Sequence, residues 1–435
     1  MKNFFRNILP YSWILASHKL RAILACLIYG FPARKLKVIG VTGTNGKTTT
    51  CHLIAQILTD TGHKTAMATT IDFQIGEKKW PNLSKMTTIS PFLLQKFLKQ
   101  AAKAGCRYVI LETTSHALVQ HRVWGIPYFM AVLTNITHDH LDYHKSYEAY
   151  RDMKAKLFQR AKVSILNLDD KAGKHFLSLC LPLTVTYAID NSADVMAKKV
   201  LPEAAGTLFT LISPEGQIVI DLPIAGRFNV YNALAAASAT IALNISLETI
   251  KKTLEKTKTI AGRMEKIKIG VEGPRKQDFA VIVDYAHTPD ALENVYKTIA
   301  PVAKGRIIAV LGACGDRDKT KRPIMGALAG HFADYVIVTD EDPYSEDPWQ
   351  IILTVAAGVP RGATLPKRKI EGRNFFKILD RKEAIQKALS LARRGDIVII
   401  TGKGAEEYMV VKDKKIPFSD RKVARQLLSE LLTKK

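Results

Sequence analysis

Residues 38–50 (Val-Ile-Gly-Val-Thr-Gly-Thr-Asn-Gly-Lys-Thr-Thr-Thr) carry side chains spaced for phosphate chemistry. A β-branched apolar run leads into Gly43, Thr44, Asn45, Gly46, Lys47, Thr48 and Thr49, and a helical pattern follows. Glycines let backbone N–H groups close on phosphate oxygens, and the helix N-terminus adds partial positive charge. In such a loop Lys47 meets the β and γ phosphates and the Thr48 hydroxyl ligates Mg²⁺. Gly40 is one residue out of step with the first glycine of the eight-residue form of this loop. The competing reading is therefore a glycine-rich turn with an exposed lysine.

A second group could hold a hard cation. Residues 111–122 and 134–144 each follow a strand-like run, and residues 150–156 read as helix. A carboxylate (Glu112) and an imidazole (His140) at strand ends suit a divalent ion beside a nucleotide, and Mg²⁺ shares its shell with phosphates. The cluster His138, Asp139 and His140 reads equally well as a zinc site or a buried hydrogen-bond network.

These residues need elements to position them. From residue 37 onward short β-branched runs alternate with longer helical patterns; examples are 37–41, 108–111, 131–133, 281–283, 307–311, 335–338 and 397–400. That is the signature of an α/β protein with parallel sheets flanked by helices. Several runs end directly in Gly, Asp, Glu or His, and in open parallel sheets ligands gather at the carboxyl ends of strands. A helical pattern closes near residues 262–273, a basic Gly/Pro stretch follows, and a new strand starts at Phe279. The expected organisation is a helical appendage over 1–36 ended by Pro32, a P-loop domain over 37–264, and a Rossmann-like domain over 265–435.

The 435 residues have globular composition, with 47% hydrophobic and 24% charged residues. The 64 Lys and Arg against 40 Asp and Glu give a net charge of +24, which expects nucleic acid, an anionic membrane or phosphate-bearing small molecules. Five scattered cysteines (26, 51, 106, 180 and 314) form no C-x-x-C pair, which argues against a disulfide framework and fits a reducing cytoplasm. Residues 1–40 hold seven Lys or Arg and no acid, beside an apolar stretch containing Trp13, Leu20, Leu24, Leu27 and Ile28. Lys19 and Arg21 interrupt that stretch, leaving runs too short to span a bilayer.

The ordered motifs resemble the Mur ligases, the ATP-dependent amide-forming enzymes of peptidoglycan synthesis, and within them the MurE type. The matching blocks are the loop 43–48, Glu112 with 115–122 (Ser-His-Ala-Leu-Val-Gln-His-Arg), Asn135 through His144, 226–232 (Gly-Arg-Phe-Asn-Val-Tyr-Asn) and 284–290 (Asp-Tyr-Ala-His-Thr-Pro-Asp). Residues 315–318, 321–323 and 402–406 follow in family order. The resemblance implies ATP and Mg²⁺, with Thr48 holding one ion and Glu112 and His140 a second. It implies that Lys154 is carbamylated, because an ammonium has no lone pair for a metal and a carbamate does; Lys156 is the decoy. Asn229 and Asn232 would lie near adenine, their alternative being helix capping. Asp284 would bind ribose, and Arg263 would reach the γ-phosphate as the domains close. His287 would orient or deprotonate the incoming amine, or be structural.

On the acceptor side the resemblance assigns Thr87, Thr88, Ser115, Gln120 and Arg122 to a UDP-muramoyl-dipeptide substrate. Arg317, Gly402 and Glu406 would take the incoming amino acid. Diaminopimelate-adding members carry Asp-Asn-Pro-Arg at a strand end, and here Asp342 stands for the Asn and Tyr344 for the Arg. The bidentate carboxylate clamp is missing. An acidic pocket of Asp342 and Glu346, with Asp420 and Arg421 as further candidates, would favour a lysine-like side chain. Typical members also carry a uridine-holding domain ahead of the loop, where this sequence has a basic apolar helix. That helix either packs on the central domain or lies on an anionic membrane. The alternatives are a ligase for lipid-linked muramoyl peptides, a folylpolyglutamate synthetase-like enzyme, and a basic P-loop nucleic-acid binder. The last lacks a reader motif, so no nucleic acid is expected. A cytoplasmic or membrane-peripheral monomer is the expectation.

Overall fold

The computed structural model describes residues 10–84, 86–137, 139, 141–179, 182–202, 206–269, 277–363 and 367–433. These pack as two compact units, one taking residues up to 257 apart from 224–226, the other taking 224–226 and 258 onward.

The first unit is built on an eleven-stranded sheet. Its strands are β1 (Lys37–Thr42), β2 (Thr65–Ala68), β3 (Asp72–Ile75), β4 (Lys78–Pro81), β5 (Tyr108–Glu112), β6 (Tyr128–Leu133), β7 (Val163–Asn167), β8 (Leu183–Ala188), β9 (Val195–Pro202), β10 (Thr207–Ser213) and β11 (Gly216–Leu222). The order is β11-β10-β9-β8-β7-β6-β1-β5-β2-β3-β4. From β9 across to β2 every neighbouring pair is parallel, and hairpins close both edges. Strands β5, β6 and β7 are buried on nearly every residue, as a sheet covered on both faces requires. β1 lies between β5 and β6, and the chain leaves it for β2 on the far side of β5. The carboxyl end of β1 is thus the point where strand order reverses, which opens a crevice there.

Helices cover the faces. α1 (Tyr11–Tyr29) precedes the sheet. α2 (Lys47–Asp60) follows β1, α3 (Pro91–Lys103) packs on α1, α4 (Tyr147–Phe158) follows β6, and α5 (Arg227–Ile241) packs on α2. α1 ends at Gly30, which takes a left-handed conformation (φ 72°) and donates its N–H back into the last turn. The stop expected at Pro32 therefore comes two residues earlier. Glycine has no Cβ to oppose the left-handed cap, and Pro32 instead opens a short 3₁₀ turn, Pro32–Lys35.

The second unit has strands β12 (Glu265–Lys266), β13 (Ala280–Asp284), β14 (Ile307–Leu311), β15 (Tyr335–Val338), β16 (Phe375–Lys377) and β17 (Ile397–Thr401) in the order β12-β13-β17-β14-β15-β16. All neighbours are parallel except β12 and β13. A hairpin of β18 (Tyr408–Val411) and β19 (Lys414–Pro417) precedes the last helix, α6 (Asp420–Thr433). The runs read as strands from the sequence are strands here. No described helix is long and apolar enough to cross a membrane, and none of the described cysteines is in a disulfide.

Candidate active site

The loop after β1 is held open by two glycines and one asparagine. Gly46 (φ 82°) starts α2, and a Cβ there would strike the Asn232 side-chain oxygen on α5. A Cβ on Gly43 would strike Thr134 Oγ1 and the Asn135 carbonyl oxygen at the end of β6. Asn135 then ties the loop down from both ends. Its carbonyl accepts from the Thr44 N–H at 2.8 Å, its Oδ1 accepts from the Asn45 N–H at 2.9 Å, and its Nδ2 donates to the Asn45 carbonyl at 3.1 Å. Thr134 Oγ1 donates to the same carbonyl at 2.6 Å. Lys47 folds back to donate to the Thr44 carbonyl at 2.7 Å. Thr49 is buried behind the loop. Asn135 was visible in sequence only as part of a motif block; its role as the loop's tether needed the β1–β6 pairing.

Thr48, in the first turn of α2, donates to Glu112 Oε2 at 3.0 Å. Glu112 closes β5 and is 1% exposed. Its carboxylate also accepts from the Thr70 N–H at 2.8 Å and the Thr70 hydroxyl at 3.0 Å. A buried carboxylate beside a hydroxyl at a helix N-terminus is an oxygen donor set that fits Mg²⁺. His140 and His138, called on for this site, lie outside the described residues. Among the described residues no group of three or more His, Cys, Asp or Glu side chains gathers.

Lys154 on α4 is 1% exposed and donates to the Gly43 carbonyl at 2.9 Å. Burial first, and then the nearby Lys47 charge, hold its amine well below the usual lysine range. Its Nζ lies 4.6 Å above the Tyr150 ring, and Tyr150 shares a 3.3 Å hydrogen bond with Thr44. Lys156, two residues on, is exposed.

The residues expected on the acceptor side meet around Thr88 and the end of β5. The Thr70 and Thr87 hydroxyls are 2.9 Å apart, and Thr88 Oγ1 donates to the Glu112 carbonyl at 2.8 Å. Arg122 donates to the Thr88 carbonyl at 2.8 Å and to Gln120 Oε1 at 3.0 Å. Ser115 Oγ lies 2.9 Å from His144 Nε2. Thr70, His144 and Tyr143, which accepts from Gln120 at 3.4 Å, are members that residue-by-residue reading missed. Asn229 and Asn232 are both buried on α5, and Asn232 Nδ2 donates to Asn229 Oδ1 at 3.1 Å. The two side-chain amides bond each other here.

In the second unit the candidates gather at the carboxyl ends of β13, β14, β15 and β17. The Arg263 guanidinium lies 4.3 Å above the Tyr285 ring. Asp284 accepts from the Met264 and Ala286 N–H groups, each at 2.7 Å, and burial nevertheless raises its carboxyl above the usual range. His287 Nδ1 lies 2.9 Å from the Tyr285 carbonyl, which orients the ring. Gly402 packs against Glu341 with no room for a Cβ. The Arg317 guanidinium covers the Tyr344 ring at 5.1 Å.

Asp342, expected in an acidic pocket, is paired with a lysine. Asp342 is 3% exposed, and its Oδ1 accepts from Lys403 Nζ at 3.1 Å and from the Val410 N–H at 2.7 Å. Lys403 also donates to Glu406 at 2.9 Å. Glu346 is paired with Arg322 and Lys319, and the Arg322 bond pulls its carboxyl down to about 2. Asp420 and Arg421 are likewise committed, Asp420 to Arg381 and Arg421 to Glu265. A carboxylate already matched by a buried cation offers little extra attraction to a substrate ammonium.

Residues 41–240 match the Mur ligase middle domain family, and residues 262–404 match the Mur ligase, glutamate ligase domain family. The chain belongs to the Mur ligase family and is an ATP-dependent amide-bond ligase. Within that family its similarity runs to the MurE type. It is 41% identical over 430 residues to the UDP-N-acetylmuramoyl-L-alanyl-D-glutamate–2,6-diaminopimelate ligase of Geobacillus kaustophilus (strain HTA426), covering 97% of this chain and 84% of that one. A relative of the same name from Halalkalibacterium halodurans is 42% identical over 423 residues, with 96% and 83% covered. A solved diaminopimelate ligase structure aligns with a TM-score of 0.61 at 36% identity, over 91% of this chain and 79% of that one. Folylpolyglutamate synthase from Mycobacterium tuberculosis aligns with a TM-score of 0.70 at 18% identity, over 96% and 94%; that likeness is one of fold.

Proposed function

We propose that the chain joins a diamino acid, 2,6-diaminopimelate, to UDP-MurNAc-L-Ala-D-Glu at the expense of ATP. The observation that carries this reading is the Thr48–Glu112 contact at the foot of the phosphate loop, with the buried Lys154 amine against the same loop. The names of the relatives support the substrate. The loop 43–49 and Lys47 hold the triphosphate; Asn229, Asn232 and Asp284 take the nucleoside end; and Arg263 serves the γ-phosphate. Thr48, Glu112 and Lys154, with His140, would hold Mg²⁺, which supplies charge neutralisation at the transferring phosphoryl group.

The chemistry follows from the leaving groups. A carboxylate cannot expel oxide, so its oxygen first attacks the γ-phosphorus and ADP leaves, forming an acyl phosphate. The amine then attacks the acyl carbon and loses a proton, and phosphate departs as the amide forms. Lys47 and Arg263 offset the charge on the phosphoryl group in flight. His287 orients the amine. Arg122, Gln120, Ser115, Thr87 and Thr88 bind the muramoyl peptide, while Arg317, Gly402 and Glu406 bind the amino acid.

Lys154 is a coherent carbamate precursor because only a neutral amine attacks CO₂. Its nitrogen forms the N–C bond, one proton leaves, and an anionic oxygen donor results. A second reading of the amino acid, lysine-like, rests on Tyr344 standing where an arginine clamp is expected. The deciding experiment is phosphate release with ATP, Mg²⁺ and UDP-MurNAc-L-Ala-D-Glu across a panel of amino acids. Release with diaminopimelate supports the first reading, release with lysine alone supports the second, and release with neither overturns both.

A further inference from the structure

Helix α1 carries its small residues inward and its large apolar ones outward. Ala22, Ala25 and Cys26 are buried, whereas Trp13, Leu20, Leu24, Leu27 and Ile28 are 69, 57, 43, 60 and 64% exposed. At 3.6 residues per turn these five fall on one arc of about 100°. Arg21 flanks the stripe and Lys19 lies farther round the helix, both exposed. Neighbouring α3 adds exposed Leu93 and Lys96, and its Lys99 rests 5.7 Å from the Tyr29 ring. Arg34 and Lys35 are exposed in the turn that follows α1. Neither helix contains an Asp or Glu. In sequence, residues 1–9 continue the pattern, with Lys2 and Arg6 among Phe4, Phe5, Ile8 and Leu9 and no acid.

We propose that this face docks on an anionic lipid surface. A face whose two helices are apolar and carry no acid selects its partner by charge. A second copy would bring cations against cations, which opposes pairing. A phosphate-rich headgroup layer matches the lysines and arginines. The leucines and Ile28 enter the acyl boundary, and Trp13 sits at the interface. α1 does not cross the bilayer, so it lies in the plane. Its first turn also reaches the acceptor-side cluster, where Tyr11 and Tyr143 hydroxyls are 3.2 Å apart. The docking face stands independently of which amino acid is added.

The test is flotation of the full chain with vesicles of phosphatidylglycerol in phosphatidylcholine, against vesicles of phosphatidylcholine alone. The expected result is at least about tenfold more protein on the anionic vesicles, weakened by salt. Leu24→Glu with Leu27→Glu should lower that binding about tenfold while ATP-dependent phosphate release in solution and circular dichroism stay unchanged. Three results overturn the proposal: no flotation on anionic vesicles, equal flotation on both kinds, or flotation that the paired substitution leaves intact. Self-association that the same substitutions abolish, without vesicle binding, would assign the face to a second copy and overturn it too.

Discussion

Two single residues carry more than their types announce. Lys154 is an ordinary lysine in sequence, and only its burial against the Gly43 carbonyl holds its amine well below the usual lysine range. Lys154→Ala is expected to abolish turnover. Wild-type activity should fall in CO₂-depleted buffer and return with bicarbonate, as read by phosphate release; indifference to both would remove the carbamate role. Asn135 tethers the phosphate loop through its backbone and both side-chain atoms. Asn135→Ala leaves the Asn45 N–H without that acceptor, at a cost of about 1–3 kcal/mol in loop order. The expected outcome is a rise in KM for ATP of about tenfold with a much smaller change in Tm.

At the scale of elements, each sheet by itself is held at its carboxyl end by contacts far apart in sequence. Gly46 lets α2 begin beside α5. Gly46→Ala meets both a left-handed φ and the Asn232 oxygen, and should abolish ATP binding measured by calorimetry. In the second unit Arg381 and Asp420 form a fully buried pair through two 2.7 Å bonds. Arg381 also donates to the Thr401 carbonyl at 2.7 Å and the Asp340 carbonyl at 3.1 Å, so it ties α6 to the ends of β17 and β15. Arg381→Ala strands a buried carboxylate, and a loss of about 3–5 kcal/mol in urea unfolding is expected. Arg381→Lys should recover only part of it, because an ammonium cannot reproduce the forked contact.

For the whole molecule, two carboxyl groups bend stability with pH in opposite directions. Burial raises Asp340 from 3.8 to about 6. Between those values the folded state holds a proton that the unfolded state has released, so its contribution is full below pH 4 and is lost as pH rises through 6. Glu346 is depressed to about 2 by Arg322, so its contribution is present above pH 4.5 and is lost as pH falls toward 2. Urea melts across pH 4–6 should show this component of slope vanish in Asp340→Asn. The net charge of +24 finds some of its use in the phosphate loop and, by our proposal, in the α1 face.

Much of this is legible in the sequence alone. The strand runs, their polar ends and the loop 43–49 follow from local patterns, because period, glycine placement and helix start are short-range properties. Those same motifs carried the family. The tertiary structure decided which partners each side chain meets. In sequence Asp342 and Glu346 read as an acidic pocket; in the fold they pair with Lys403, Arg322 and Lys319, and those cations arrive from other segments. The burial of Lys154 and the outward face of α1 have the same origin. Burial and electrostatic partners depend on which distant segments meet, and the one-dimensional pattern does not contain that.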